Sequence, residues 1–434
     1  MTSTLLDADL DLFIATLRAH GGRASLTWDE PAQAMVASHA WLAELGDWLS
    51  QDAHDFQRHE GLFFAVGPET GALHTAFIHK TIRGQAAGGL RHWPYANLEA
   101  LVRDGLRLSL GMSRKNALAG LWWGGGKGIV ARQAGDRHRD PGYRRALYRE
   151  YGLFTTSLHG VYVTAEDVGT TPDDLAAVFE TTRFATCVPP SVGGSGNPSP
   201  ATARGVVCAM EAALDHRSAT TLAGKTIAMQ GAGNVATFMI DELLTRDVGR
   251  VIATEISAER CAMLRDRFAG KPVEIRETSP DDLSIFAEPC DLFAPNALGG
   301  VLGPDTIPLI AAPIVCGAAN NQLLDDRRDD RALAARDIVY VPDFVANRMG
   351  IVNCANEQYG NLPSDPAINR HFSRDWDNAV FVVTKQILAL AEREGITSSE
   401  AANRLADQAC TVPHPIWGHR GRDIIEGLRT SWAG

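Results

Sequence analysis

A lysine set among glycines, Lys127 in Gly124-Gly125-Gly126-Lys127-Gly128, carries the strongest chemical signal in this 434-residue sequence. Twelve residues earlier stands a second lysine, Lys115, in Met112-Ser113-Arg114-Lys115-Asn116-Ala117. A carboxylate, Asp167, follows in Thr164-Ala165-Glu166-Asp167-Val168-Gly169-Thr170-Thr171. Two lysines and an aspartate suit chemistry that holds a carboxylate, polarises a carbonyl or imine, and shuttles protons. Glycines leave little bulk beside Lys127, so that substrate and cofactor can come close. Desolvation and a nearby positive charge would lower its pKa and make it a usable acid or base near neutral pH. Taken singly, each residue has an ordinary explanation. Most lysines are solvated surface groups, and Asp167 could instead cap a helix beginning near Thr170–Asp174. Glu166 reads as structural.

The flanking sequence predicts elements able to position these groups. Apolar runs at 62–66 and 73–78 flank Gly67-Pro68-Glu69-Thr70-Gly71 and predict a β-hairpin. Asn97 has the look of an N-cap, with Leu98, Leu101, Val102 and Leu106 on one face of a helix that delivers Lys115 near its C-terminal end. Residues 61–180 therefore read as an α/β domain holding all three groups. In residues 1–50, Leu10, Phe13, Ile14 and Leu17 fall at helical spacing, and this segment reads as a packing arm or subunit contact. The loop from Pro189 to Pro200 reads as a hinge, and Ser199-Pro200 as a helix start with Ser as cap. Strand-like runs then alternate with helical stretches, which implies a parallel, doubly wound sheet.

Within that second half, the run 225–230 leads into Gly231-Ala232-Gly233-Asn234-Val235-Ala236 and a helical pattern with Ile240, Leu243 and Leu244. This is G-x-G-x-x-A between a strand and a helix. Gly231 makes the tight turn, Gly233 lets the backbone approach a pyrophosphate, and Ala236 permits close helix–strand packing. Asn234 and Val235 open the helix whose N-terminus would face the anion. Glu255 ends the next strand, 24 residues after Gly231, where an acid would accept hydrogen bonds from an adenosine ribose and repel a 2′-phosphate. NAD is thus favoured over NADP, although Arg260 nearby weakens the inference and a solvated strand end is the plain alternative.

Bulk properties exclude more than they select. Hydrophobic content of 45% and charged content of 21% describe an ordinary globular chain, long enough for two domains. A net charge of −11 argues against nucleic-acid or anionic-membrane partners. No run of residues approaches a membrane span. The seven cysteines are scattered, odd in number and without metal-ligand spacing, so no metal site is expected. The expectation is a reducing cytoplasm and no structural disulfide. The N-terminal segment, with Asp7, Asp9 and Asp11, does not resemble a signal peptide.

Collinear segments then bring a family into view. Gly88-Gly89-Leu90-Arg91, the Lys115 and Lys127 segments, 164–171, Gly194-Ser195-Gly196-Asn197-Pro198-Ser199-Pro200, the Gly231 loop, Gly317-Ala318-Ala319-Asn320-Asn321-Gln322 and Val341-Pro342-Asp343-Phe344 together resemble the amino acid dehydrogenases acting on glutamate, leucine, phenylalanine and valine. The likeness runs over roughly residues 50 to 410. It implies an N-terminal α/β substrate and oligomerisation domain over 51–190, a Rossmann-type NAD-binding domain over 191–395, and C-terminal helices over 396–434 returning to the first domain. Residues 1–50 are left as an extension. The resemblance further implies a homo-oligomer with its active site in a cleft between domains.

Under that resemblance the reaction is reversible oxidative deamination of an L-amino acid to a 2-oxo acid and ammonia. Lys115 would pair with the substrate α-carboxylate, and Gly88 and Gly89 would let that carboxylate reach main-chain amides. Lys127 would activate water, and Asp167 would exchange protons with the amino group. Thr202, Ala318, Asn320 and Asn321 should lie near the nicotinamide, although asparagine pairs are also common in turns. Glutamate-specific members have a lysine just before the glycine pair. Here Ala87 stands there, and Met112 replaces the usual glutamine of the Lys115 segment. A buried side-chain carboxylate would lack a partner, so an apolar, branched-chain or aromatic substrate is expected. Arg348-Met349 and Asn296 depart from the family pattern and leave the side chain open. A reductive aminase for a noncanonical 2-oxo acid and a non-catalytic NAD sensor are the alternatives. His54, His59 and His92 have no partner spacing for catalysis. Trp122-Trp123 adjoins the lysine loop and reads as core or subunit contact.

Overall fold

Period-two alternation builds the first sheet. In Gly61-Leu62-Phe63-Phe64, Leu62 and Phe64 join one apolar cluster and Phe63 the other, because successive strand residues point to opposite faces. The computed structural model describes residues 5–7, 9–360, 362 and 364–432. It divides into two units, the first comprising Met1–Asn197, Cys354–Asn361 and Asp407–Gly434, and the second Pro198–Asn353 and Leu362–Ala406. Among the described residues, no helix is long and apolar enough to cross a membrane.

The first unit holds strands β1 (Arg23–Asp29), β2 (Ala34–Ala37), β3 (Gly61–Val66), β4 (Leu73–Lys80), β5 (Ala86–Trp93), β6 (Gly124–Ala131) and β7 (Tyr162–Glu166). They form one sheet in the order β2-β1-β3-β4-β6-β5-β7. β3 and β4 make the expected antiparallel hairpin, whereas β5 runs parallel to β6 and to β7. Helices α1 (Leu10–Ala19), α2 (Ala43–Gln51) and α3 (Leu98–Leu118) supply Phe13, Leu45 and Leu101 to the core on one face. On the other, α4 (Pro141–Ser157), α5 (Pro172–Phe179) and the C-terminal helix Arg420–Ser431 supply Tyr148, Leu175 and Ile425.

Two local signals become elements as read. Asn97 caps α3, its side chain accepting from the Ala100 amide, and Leu98, Leu101, Val102 and Leu106 are buried. Leu10, Phe13, Ile14 and Leu17 are the buried stripe of α1. Beyond that helix, the segment read only as a packing arm contributes β1 and β2, which extend the sheet at its edge.

The glycine-rich lysine segment is no loop. It is β6, buried along its whole length and paired on both sides. Its glycines make room for protein. A methyl on Gly125 would collide with the Ser113 hydroxyl and the Ser109 carbonyl of α3, and one on Gly128 with the Tyr151 hydroxyl. Helix and strand pack at backbone distance because no side chain stands between them.

The structure also corrects the reading of the cysteines. Cys187 and Cys354 form a disulfide across a sequence separation of 167, both within the first unit. Sequence could not find it, because the pair is buried and has no local spacing pattern. Closing a loop of that length is worth at most about 5 kcal/mol in the chain-entropy model. Reduction, or Cys187→Ser, is therefore expected to lower the melting temperature by several degrees. A melting curve unmoved by reductant would show that the crosslink contributes nothing.

In the second unit, β8 (Thr226–Gln230), β9 (Arg250–Glu255), β10 (Val273–Glu277), β11 (Leu292–Pro295), β12 (Ile314–Val315) and β13 (Val339–Tyr340) form a wholly parallel sheet. Its order is β10-β9-β8-β11-β12-β13, which is the doubly wound order with a switch point beside β8. α6 (Ser199–Ser218), α7 (Asn234–Leu244) and α8 (Ala258–Arg267) belong to this unit. Ser199 is the first residue of α6 rather than its cap, and Pro198 at the cap position makes no side-chain bond to the helix.

Candidate active site

β6 carries Lys127 into the interior of the first unit, where its side chain is 5% exposed. Its Nζ donates to Asp167 Oδ2 at 2.5 Å. Asp167 follows directly on β7 and packs against the bare side of Gly89 in β5, where a methyl would meet the Asp167 Cβ at 2.6 Å. A methyl on Gly88 would collide with the Gly126 carbonyl and come within 3.0 Å of Met112 Cγ. The glycine pair thus lets Asp167 and the neighbouring strand sit close to β5.

Asp167 is no helix cap. Thr171 caps α5 in a capping box with Asp174, and the Asp167 amide instead donates to the Thr170 hydroxyl at 2.9 Å.

Helix α3 brings the other first-unit residues. Its sheet-facing side holds Ser113, which hydrogen-bonds His79 Nδ1 at 2.7 Å, and Asn116, whose Nδ2 donates to the Gly124 carbonyl at 2.6 Å. Asn116 also donates to the carbonyl of buried Ala87 at 3.3 Å. Met112 and Lys115 lie on the same helix, both half-buried, Lys115 in its last turn. These bonds fix how the helix sits on the glycine strand.

A cation that sequence reasoning left without a role completes the cluster. Arg91 Nε donates to Asp167 Oδ2 at 3.2 Å, and Arg91 Nη1 pairs with Asp104 of α3 at 3.0 Å. Tyr95 donates its hydroxyl to Asp104 at 2.5 Å. Strand period was the available signal, since Arg91 stands two residues beyond Gly89 and so shares its face. Asp104 and Tyr95 gave no such sign.

The charges work against one another in a way that suits proton transfer. Burial lowers the Lys127 pKa, the Asp167 anion opposes that, and the Arg91 cation adds to it. The second cation beside Lys127 is therefore Arg91. Burial pushes the Asp167 carboxyl up, but Lys127 and Arg91 outweigh it and bring it down to about 2. Glu166, next in the chain, is pushed up to about 7 by burial and then by the Asp167 and Asp174 anions. His59 and His92 are buried and bonded to the Leu106 carbonyl and the Tyr148 hydroxyl. Trp123 is buried, and Trp122 lies half open beneath the Arg83 guanidinium.

In the second unit, β8 runs through Gly231 at φ +92° into α7. A methyl on Gly231 would meet Ala297 at 2.8 Å, whereas one on Gly233 would have nothing within 4 Å. The loop is packed at its first glycine and open at its second, which fits a pyrophosphate approaching the backbone at a helix N-terminus. Ala236 is buried; Asn234 is exposed and Val235 half-buried. Glu255 Oε1 accepts from the Ile256 and Ser257 amides at 2.9 and 3.0 Å. Arg260 lies across the loop, donating to the Ala232 carbonyl at 2.8 Å and to Asn234 Oδ1 at 3.2 Å, with Glu255 Oε2 at 3.7 Å.

The remaining second-unit residues are held by neighbours. The amide of Ala318 donates to Asn296 Oδ1 at 2.8 Å, and Asn347 Nδ2 donates to Asn320 Oδ1 at 2.8 Å and the Ala318 carbonyl at 3.0 Å. Asn321, at φ +52°, donates its amide to Asp343. Thr202 donates to the Pro198 carbonyl at 3.0 Å. Arg348 and Met349 are both fully buried, with Arg348 donating to the Asn378 carbonyl.

Comparison with known proteins decides the family. Residues 69–184 match the Glu/Leu/Phe/Val dehydrogenase dimerisation domain, and residues 193–411 match the Glutamate/Leucine/Phenylalanine/Valine dehydrogenase domain. The chain belongs to the Glu/Leu/Phe/Val dehydrogenase family. It is an oxidoreductase, and the dehydrogenases of this family depend on NAD(P). Leucine dehydrogenase of Bacillus cereus is 38% identical over 371 residues, covering 85% of this chain and 96% of that one. Valine dehydrogenase of Streptomyces albus is 36% identical over 353 residues, covering 81% and 92%. The crystal structure of L-tryptophan dehydrogenase from Nostoc punctiforme superimposes with a TM-score of 0.66 at 32% identity, covering 81% of this chain and 96% of that one.

Proposed function

We propose that this family member catalyses reversible, NAD-dependent oxidative deamination of an apolar L-amino acid, branched-chain or aromatic, to the 2-oxo acid and ammonia. The observation that carries the reading is the buried Lys127–Asp167 contact at 2.5 Å. A lysine and a carboxylate that share a proton can take one from the amino group and from an attacking water in turn. In this reading Lys115 pairs with the substrate α-carboxylate beside Gly88 and Gly89. Lys127 activates water for attack on the imine carbon and stabilises the oxygen that forms. Asp167 exchanges protons with the nitrogen. When bound, NAD supplies the hydride acceptor for Cα. Gly231, Gly233, Asn234 and Val235 would hold its pyrophosphate and Glu255 its ribose, while Thr202, Ala318, Asn320 and Asn321 would face the nicotinamide.

Buried Ala87 and half-buried Met112 support an apolar side chain, because neither offers a charge to a second carboxylate. The named leucine, valine and tryptophan dehydrogenases among its relatives support it too. A homo-oligomer belongs to the same reading, since the chain carries the family's dimerisation domain.

NADH absorbance with purified protein, NAD and a panel of L-amino acids tests this. Leucine, valine, phenylalanine or tryptophan is expected to turn over with kcat/KM at least about a hundredfold above glutamate, the discrimination expected when a buried charge lacks its partner. Turnover of glutamate at a similar rate would sink the Ala87 and Met112 interpretation. Silence on every amino acid and on 2-oxo acids with ammonium would sink the reaction.

A further inference from the structure

Asp167 Oδ2 receives two cations, Lys127 Nζ at 2.5 Å and Arg91 Nε at 3.2 Å. Arg91 does not hang freely. Asp104 takes its Nη1 on both oxygens, at 3.2 and 3.0 Å, and Tyr95 donates to that same carboxylate at 2.5 Å. The Arg91, Asp104 and Asp167 side chains are 17%, 26% and 15% exposed, so water screens these contacts only partly. A guanidinium has the geometry for this, since its planar fork serves two carboxylates along different edges at fixed angles, whereas an ammonium offers three rotatable donors from a single point.

We propose that Arg91 is a positioning residue for the Lys127–Asp167 pair, itself fixed by Asp104 and Tyr95. The inference rests on the proposed deamination. It places the origin of the pair's alignment on β5 and α3, the strand with the glycine pair and the helix with Lys115. Helix and carboxylate are then tied by one side chain, so a shift of α3 is felt at Asp167.

The groups acting on the pair include Lys127 from β6, Arg91 from β5, Tyr95 just after it, Asp104 from α3, and Tyr162, Glu166 and Asp167 at β7. Of these, Arg91 is the one that both lowers Lys127 and lowers Asp167. Without it, Lys127 would hold its proton to higher pH and Asp167 would lose one of its two counter-charges. The neutral lysine needed as base would appear only in more alkaline solution.

The test is the pH profile of amino acid oxidation for wild type, Arg91→Gln, Arg91→Lys and Tyr95→Phe. Arg91→Gln is expected to lower kcat about a hundredfold, leave KM for the amino acid within about threefold, and move the rise of kcat/KM up by about one pH unit. Arg91→Lys should restore the position of the rise and part of kcat. Tyr95→Phe, which deletes one hydroxyl, should move the profile the same way by less, and covers the case in which Arg91→Gln does not fold. An Arg91→Gln profile that rises where wild type does would overturn the proposal, as would equal losses in both Arg91 variants with neither profile shifted. Should wild type oxidise no amino acid, the deamination reading fails separately. NMR titration of a selectively labelled Lys127 then decides the Arg91 proposal, an unchanged midpoint in Arg91→Gln overturning it.

Discussion

Lys127→Met is expected to lower kcat for amino acid oxidation about a thousandfold, within the range that loss of a general acid–base group produces, while changing KM little. Methionine is of similar length and apolar, so a residue 4% exposed in the interior of the first unit is replaced with little change in packing. Asp167 keeps Arg91 as its counter-ion, so its carboxylate stays charged and in place. Of the two cations shown in contact with Asp167, what disappears is the one that can give up a proton at accessible pH, since arginine does not. Stopped-flow single turnovers would separate chemistry from product release. A single-turnover rate within tenfold of wild type would remove Lys127 from the reaction.

Gly88→Ala should cost the protein both stability and activity, and more than its chemical modesty suggests. The backbone of Gly88 is not in the left-handed region, so alanine is allowed conformationally. Space forbids it. The new methyl collides with the Gly126 carbonyl of the adjoining strand and meets Met112 at 3.0 Å. A backbone oxygen in a paired strand cannot rotate away, so β5 and β6 must part or tilt. Overpacking ordinarily costs about 1–3 kcal/mol, and a backbone-on-backbone clash belongs at or above the top of that range. Because β6 carries Lys127 and β5 carries Arg91, even a folded variant should turn over at least about a hundredfold more slowly, as misplacement by an ångström can cost that much. Wild-type melting together with wild-type kcat/KM would show that the strands give way freely. Gly233→Ala offers the contrast, since its methyl meets nothing within 4 Å and should leave stability nearly untouched.

The lysines, the carboxylate and the strand–glycine turn–helix at 226–244 were legible in sequence because each is a short, local motif. Gly231 turning at φ +92° between β8 and α7 is a property of six consecutive residues. So is the Asn97 cap that starts α3. The role of the glycines around Lys127 was only half legible. Their number was evident, but whether they open space for a ligand or for α3 depends on which helix lies against them. The strand form of 124–131 was obscured for the same reason, since glycine lacks the side-chain alternation that marks a strand.

Other features had no local trace at all. Cys187 and Cys354 are 167 residues apart, and only the folded chain sets their sulfurs together. Arg91, Asp104 and Tyr95 lie close in sequence, yet their convergence on Asp167 depends on the parallel pairing of β5 with β7. By itself, then, the sequence determined the chemical inventory, two lysines and an aspartate with a glycine turn between strand and helix, because residue type and short spacing set what a group can do. Tertiary structure decided which groups act on one another. Hydrogen bonding and proton transfer need heavy atoms within about 3 Å, and distances that short between remote residues exist only once the sheet has formed.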